Sequence, residues 1–343
     1  MKKLLNTLYV TTENAYLALD GENVVIQRDG DTLGRLPLHM IDGIMAFGYI
    51  GASPALMGKC AEMNKSLVFL KPNGRFLAKI TGKSYGNILL RRAQYRICDH
   101  AADSLTIAKH IISAKLSNCN AVISRAARDH AMRIDTDKFA RVGEALQNGK
   151  VKAYHAQSAD SLRGIEGECA SLYFSVFDAM ILQQKKDFFY NERSRRPPMD
   201  NVNAMLSFSY SLLTSMCVSA LEAVGLDAYA GVYHTERPGR CSLALDMLEE
   251  FRAAFADRFV LTTINKRSIF DKDFVEKESG GTLLTEDGRK KFLSLWQQKK
   301  QEEMMHPFLQ EKVEWGLLPY VQAMLLAKYI RGDIDEYPPF IWR

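Results

Sequence analysis

The first eighty or so residues alternate apolar and polar positions. "AYLALDGENVVIQRDGDTLGRLPL" does so around two Asp-Gly steps, Asp20-Gly21 and Asp29-Gly30, and "SLVFLKPNGRFLAKITG" does so around Asn73-Gly74. A period of two predicts strands, and Asp-Gly supplies the positive φ angles of tight hairpin turns. "SPALMGKCAEM" interrupts them as a helix, with Ser53 as N-cap and Pro54 at the first helical position. After "TGKSYGN" the period lengthens. From Ile88 onward, as in "ILLRRAQYRICDHAADSLTIAKHIISAKL", apolar residues recur at helical spacing, and helical patterns dominate almost to the end. The pattern predicts an α+β chain of two domains: a β-rich domain over 1–85 and an all-α helical domain over 86–343. No internal repeat or low-complexity tract is visible.

Two stretches of the second half resist a helical reading: "KKDFFYNERSRRPPMDN" (185–201) and "GLDAYAGVYHTERPGR" (225–240). Both are polar and punctuated by Gly or Pro. Loops between packed helices are where function concentrates.

Composition changes this picture little. Hydrophobic residues at 47% and charged residues at 25% are ordinary for a soluble globular protein. No apolar run reaches the ~18 residues that span a bilayer, so no membrane partner is expected. "MKKLLNTLYVTTENAY" lacks a signal-peptide core and reads as the first strand of a cytoplasmic protein. The six cysteines form no C-x-x-C pair and mostly lie in apolar helical context, as reduced core residues rather than a zinc cluster or disulfide framework. A net charge of +5 permits nucleic-acid binding without demonstrating it.

The candidate chemistry lies in "HTERPGRCSLALDMLEEFR", from His234 to Arg252. Leu243, Met247, Phe251 and Phe255 form a core-facing stripe. Asp246 and Glu249, three apart, share another face, and Glu250 competes for the same role. His234 precedes the helix by a short loop. A second segment, "LRGIEGECASLYFSVF", places Glu166 between Gly164 and Gly167 at the head of an apolar helical run, where a carboxylate is costly to bury without a partner. Glu166, His234 and Glu249, with Asp246 beside them, form an oxygen-rich set with one imidazole, which suits Mg²⁺ or Mn²⁺ better than a dedicated zinc site. Such a metal serves phosphoryl chemistry. Arg237 and Arg240, with Arg163 near Glu166, are candidates to grip phosphates; Arg193, Arg195 and Arg196 are further basic candidates. Each feature also has a plain structural reading: a surface histidine, acids favouring a helix dipole, a solvated basic loop, a glutamate in a turn.

Three blocks, "LRGIEGECASLYF", "RRPPMDNVNAMLSFSYSLL" and "GVYHTERPGRCSLALDMLEEFR", resemble the signature segments of Cas1, the CRISPR-associated integrase of spacer acquisition. The ending "HPFLQEKVEWGLLPYVQAMLLAKYIRGDIDEYPPFIW" resembles the type I-C branch. The resemblance covers nearly the whole chain, with the blocks in family order. It implies a β-domain that forms homodimers, a helical catalytic domain, a complex with the small partner Cas2, and Mg²⁺- or Mn²⁺-dependent cleavage and strand transfer on double-stranded DNA. In that reaction a 3′-hydroxyl of a captured fragment (the prespacer) attacks a phosphodiester at the edge of a CRISPR repeat. The family's metal ligands fall on Glu166, His234 and Glu249, where several relatives carry Asp, and a further active-site acid falls on Asp246. Asp200-Asn201 stands where many relatives read Asp-Pro. Competing readings are a stand-alone metal-dependent DNase or RNase of repair, and a non-catalytic DNA-binding scaffold.

Overall fold

Among the described residues, eight strands fill the first part of the chain: β1 (Thr7–Val10), β2 (Tyr16–Asp20), β3 (Asn23–Arg28), β4 (Asp31–Pro37), β5 (Gly43–Phe47), β6 (Gly51–Ala52), β7 (Ser66–Leu70) and β8 (Phe76–Ile80). The structure is a computed structural model that describes residues 7–41, 43–63, 65–71, 76–80, 88–278 and 280–342. Helix α1 (Pro54–Glu62) interrupts the strands as expected, and the Ser53 hydroxyl accepts the Leu56 N–H at 3.2 Å. Asp29 and Gly30 make the β3–β4 turn with φ of 52° and 93°. At the preceding hairpin Asp20 is still paired, opposite Asn23, so Gly21 and Glu22 form the turn. The Asn73-Gly74 step and the 81–87 stretch, where the chain changes character, lie outside the described residues.

The strands form two four-stranded sheets, ordered β4-β3-β2-β6 and β1-β5-β7-β8. The second sheet pairs β1, β5 and β7 in parallel. Its period of two feeds two cores. Ile44, Ala46 and Leu67 face a small core with Leu17, Val24 and Leu56. The alternate residues Met45, Phe47 and Val68 face the helices, where Phe47 meets Phe208 with ring centroids 5.8 Å apart.

The helical part contains α2 (Ile88–Asp99), α3 (Ala101–Asp129), α4 (Thr136–Tyr154), α5 (Ala159–Ser175), α6 (Asn201–Ala223), α7 (Ser242–Phe251), α8 (Arg258–Asn265), α9 (Glu286–Gln301) and α10 (Leu318–Arg331). Two short hairpins accompany them: β9 (Phe274–Glu276) with β10 (Thr282–Leu284), and β11 (Glu303–Met305) with β12 (Lys312–Glu314). Helix α3 runs through the middle and packs against α4, α5 and α7. At Gly149 on α4 a Cβ would stand 2.3 Å from the Cys169 Sγ of α5, so only glycine allows this approach.

Helix α6 is long and apolar enough, by length and composition, to cross a membrane, with a mean hydropathy of 1.4 over its most apolar window. Its apolarity is that of a core helix: Val202, Met205, Leu206, Leu213, Cys217 and Leu221 are fully buried, and it packs against α7 and α10. All six cysteines are free, four of them buried.

Candidate active site

Residues 185–200 and 224–241 are irregular, as their Gly, Pro and polar content predicts. The second of these segments folds back onto the first turns of α7. Gly231 makes the approach possible: a Cβ there would lie 2.5 Å from the Ser242 Cβ and 3.0 Å from Asp246 Oδ2. The fully buried Asp246 carboxylate then gathers the loop's backbone. It accepts the N–H groups of Val232 at 2.7 Å, Tyr233 at 3.1 Å and His234 at 2.8 Å. It also lies 2.7 Å from Nδ1 of the His234 ring. A carboxylate only accepts, so this contact puts the proton on Nδ1 and leaves Nε2 with a free lone pair. Asp246 thus acts through His234.

Glu249 follows one turn later on α7 and is 7% exposed. Its carboxylate lies 2.7 Å from the Lys115 ammonium and 3.3 Å from the Arg252 guanidinium. The same Lys115 ammonium is ion-paired with Glu166. Burial works to raise the Glu249 carboxyl, but Lys115 and Arg252 overcome it and hold it at about 2. Burial also opposes the charge on Lys115, and Glu249 and Glu166 together still hold its pKa above the ordinary value. Three helices, α3, α5 and α7, therefore deliver one cation and two acids to one point. Among the described residues no three acidic, histidine or cysteine side chains already stand at metal-ligand spacing.

Glu166 does not head its helix. It is the eighth residue of α5, and Gly164 and Gly167 are helical, with open space where a Cβ would project.

Glu250 points away from this cluster. It is fully buried and accepts from the Tyr337 hydroxyl at 2.6 Å, the Phe340 N–H at 2.7 Å and Gln322 Nε2 at 2.9 Å. Burial, against these donors, lifts its carboxyl to about 7. Behind the site the backbone widens into a π-helical turn over Arg252–Asp257, a distortion frequent at functional sites. Asp257 at its end accepts from the hydroxyls of Tyr210 at 2.5 Å and Tyr173 at 3.1 Å.

A cleft of about 430 Å³ opens beside the Lys115–Glu166 pair, lined also by Tyr190, Arg193, Arg195 and Arg252. Among the described residues, the Tyr190 hydroxyl and the Nε atoms of Arg193 and Arg252 are buried without a hydrogen-bond partner. Arg193 is otherwise fixed by Asn203 Oδ1 at 2.7 Å and Ser207 Oγ at 3.0 Å. Arg195 and Arg196 line a neighbouring groove with Lys277 and Arg289. Arg163 is half-exposed and ion-paired with Asp160. Arg237 and Arg240 line a separate, open depression that also holds Asp99, Asp227 and Glu236. The structure thus brings Arg193 and Arg195 to the acidic pair, and leaves Arg237 and Arg240 in a different setting.

Sequence reasoning missed Lys115, Arg252 and Tyr190. A signal for Lys115 was present: it is the one charged residue in "IISAKLSN", between apolar positions on both sides.

The family model for the CRISPR-associated protein Cas1 matches residues 8–298. A CRISPR-associated endonuclease Cas1 of Chlorobaculum tepidum is 49% identical over 343 residues, covering all of both chains. Among solved structures, a casposase bound to its integration product superposes with a TM-score of 0.85 at 23% identity, covering 98% of this chain and 94% of that one. The Cas6-RT-Cas1–Cas2 complex gives a TM-score of 0.81 at 20% identity, covering all of this chain and 36% of that one. These two likenesses confirm the β-rich-then-helical fold. The sequence relationship reaches further, and on it the chain belongs to the Cas1 family of CRISPR-associated endonucleases.

Proposed function

We propose that this protein is the integrase of CRISPR spacer acquisition, joining the 3′-hydroxyl of a captured DNA fragment to a phosphodiester at a repeat edge. The observation that carries the reading is the convergence of Glu166 and Glu249, from two helices, on one shared cation, beside a histidine whose Nδ1 is held by Asp246. That donor set fits a hard divalent cation: two carboxylates already organised around a positive charge, and one imidazole nitrogen free to ligate. Glu166, His234 and Glu249 would hold Mg²⁺ or Mn²⁺, which when bound supplies charge stabilisation to the phosphoryl oxygens. Glu250 is excluded from the set by its three buried donors.

The chain's own residues do the rest. Asp246 keeps His234 in the ligating tautomer and pins the 232–234 loop. Arg193, Arg195 and Arg252, with the Tyr190 hydroxyl, offer donors to a DNA backbone lying in the cleft. Arg196 continues the basic lining into the neighbouring groove, and Arg163, Arg237 and Arg240 are further candidate phosphate contacts outside the cleft. The mechanism is positioning plus electrostatics, with no covalent enzyme intermediate. With water in place of the 3′-hydroxyl the same site cleaves DNA.

The reading extends to assembly. The casposase neighbour carries integration product, which favours strand transfer over a stand-alone nuclease, and another neighbour is a complex with Cas2, which favours a partner of that type. A homodimer formed through residues 1–85, a catalytic unit over 86–343, a cytoplasmic location and the type I-C branch complete the proposal.

The test is strand transfer of a short duplex with free 3′-ends into a repeat-bearing plasmid. Glu166→Gln should abolish joining while the protein still folds and melts cooperatively, at a lower temperature than wild type because the buried Lys115 loses one of its two anionic partners. Joining at the wild-type rate would contradict the reading.

A further inference from the structure

Lys115 stands on α3 among buried apolar neighbours, including Ile111, Ile112, Leu116 and Cys119. Its side chain is only 6% exposed. A buried ammonium is costly unless paired, and this one is paired twice: with Glu166 of α5 and, at 2.7 Å, with Glu249 of α7. Arg252 meets Glu249 alone, at 3.3 Å. The ammonium is therefore the group shared by both acids, and it lies where a cation shared by them would lie.

We propose that Lys115 is an internal counter-ion that holds Glu166 and Glu249 together in the metal-free protein and must be displaced for a divalent cation to bind. The inference rests on the metal-site reading above. Two neighbouring carboxylates without a cation repel one another, so Lys115 stabilises the empty site and lowers its metal affinity by competition. The displaced side chain has somewhere to go, because Lys115 also lines the cleft that holds Tyr190, Arg193 and Arg252.

The experiment is a calorimetric titration of Mn²⁺ into the full-length wild type, Lys115→Met and Lys115→Arg, beside melting curves with and without Mn²⁺. Lys115→Met should melt lower than wild type without metal and gain more from Mn²⁺. Its Mn²⁺ dissociation constant should fall at least about tenfold, a difference of roughly 1.4 kcal/mol. Lys115→Arg keeps the charge and should stay near wild type. If wild type binds Mn²⁺ and Lys115→Met binds it no more tightly, the counter-ion role is wrong and the metal site stands. If neither binds, the metal-site reading itself fails and takes the inference with it. Should Lys115→Met not fold, the wild type carries the test: amine acylation at Lys115, read by mass spectrometry, should rise when Mg²⁺ is added. Unchanged labelling would overturn the proposal.

Discussion

Asp246 Oδ1 lies 2.7 Å from Nδ1 of His234 and accepts the same residue's backbone N–H at 2.8 Å. One oxygen thus fixes both the ring and the peptide that carries it. An asparagine at 246 can turn its amide N–H toward Nδ1, favour the other tautomer and withdraw Nε2. Asp246→Asn should therefore lower strand transfer by roughly 10–100-fold, the usual range for groups that orient a ligand. His234→Ala should abolish it while the melting temperature stays close to wild type. Joining rates and melting curves on both variants check this; a fully active Asp246→Asn would show that the contact is only structural.

The basic residues separate by place. Arg195 lines the cleft beside Glu166, whereas Arg240 lies in the depression shared with Asp99, Asp227 and Glu236. Arg195→Ala should flatten the slope of log K against log salt by about 0.9, one phosphate contact on duplex DNA. Arg240→Ala should change it less. Binding isotherms at several salt concentrations decide the order.

The histidine of the closing segment, His306, predicts a pH effect. It is fully buried, with Leu309 N–H donating to Nδ1 at 3.2 Å and Nε2 facing Gln322 Oε1 at 3.1 Å. Both ring nitrogens are thus used by the neutral form, and burial depresses the pKa below its ordinary value of 6.5, against the Gln322 contact. The folded state then binds fewer protons than the unfolded chain, so this contribution is complete above pH 6.5 and is lost as pH falls through the unfolded value toward the depressed one. Between pH 7 and pH 5 this contribution lowers the melting temperature, against the Glu250 carboxyl, whose raised pKa works in the opposite sense over the same window, so wild type should lose more, or gain less, melting temperature than His306→Gln. Parallel pH series on the two proteins measure the difference.

Glu250 and the chain's end form one clasp. Phe340 donates its N–H to Glu250, and its carbonyl accepts from Asn118, whose side chain also holds the Glu250 carbonyl at 2.7 Å and the Trp342 N–H at 2.8 Å. The clasp ties α7, which bears Glu249, to α3, which bears Lys115. Phe340→Ala should cost about 3–5 kcal/mol, as for other buried aromatics. Glu250→Ala should also destabilise, because it strands three buried donors. Denaturant melts give both values.

Much of this site was legible in the chain. The stripe Leu243, Met247, Phe251 and Phe255 is buried as its spacing demands, and the Gly/Pro punctuation around His234 marks the loop. Choosing between Glu249 and Glu250 was out of reach, because the donors that occupy Glu250 come from Gln322, Tyr337 and Phe340, far along the sequence. The parallel pairing of β1, β5 and β7 was equally hidden: alternation reports which face is buried and says nothing of which strand lies beside which. Glu166 reads as a helix-head residue because its glycines suggest a turn, yet the surrounding apolar spacing carries α5 through them. Lys115 was overlooked because a single lysine in a helical run is usually taken as solvated.

The central claim is that Glu166, His234 and Glu249 hold one divalent cation. A crystal soaked in Mn²⁺, read by its anomalous difference map, tests it most directly. The account predicts a single strong peak bounded by those three side chains, with Lys115 moved off the carboxylates and Glu250 still clasped to the tail. A map with no peak among them, in a crystal whose active-site side chains are ordered, would contradict it.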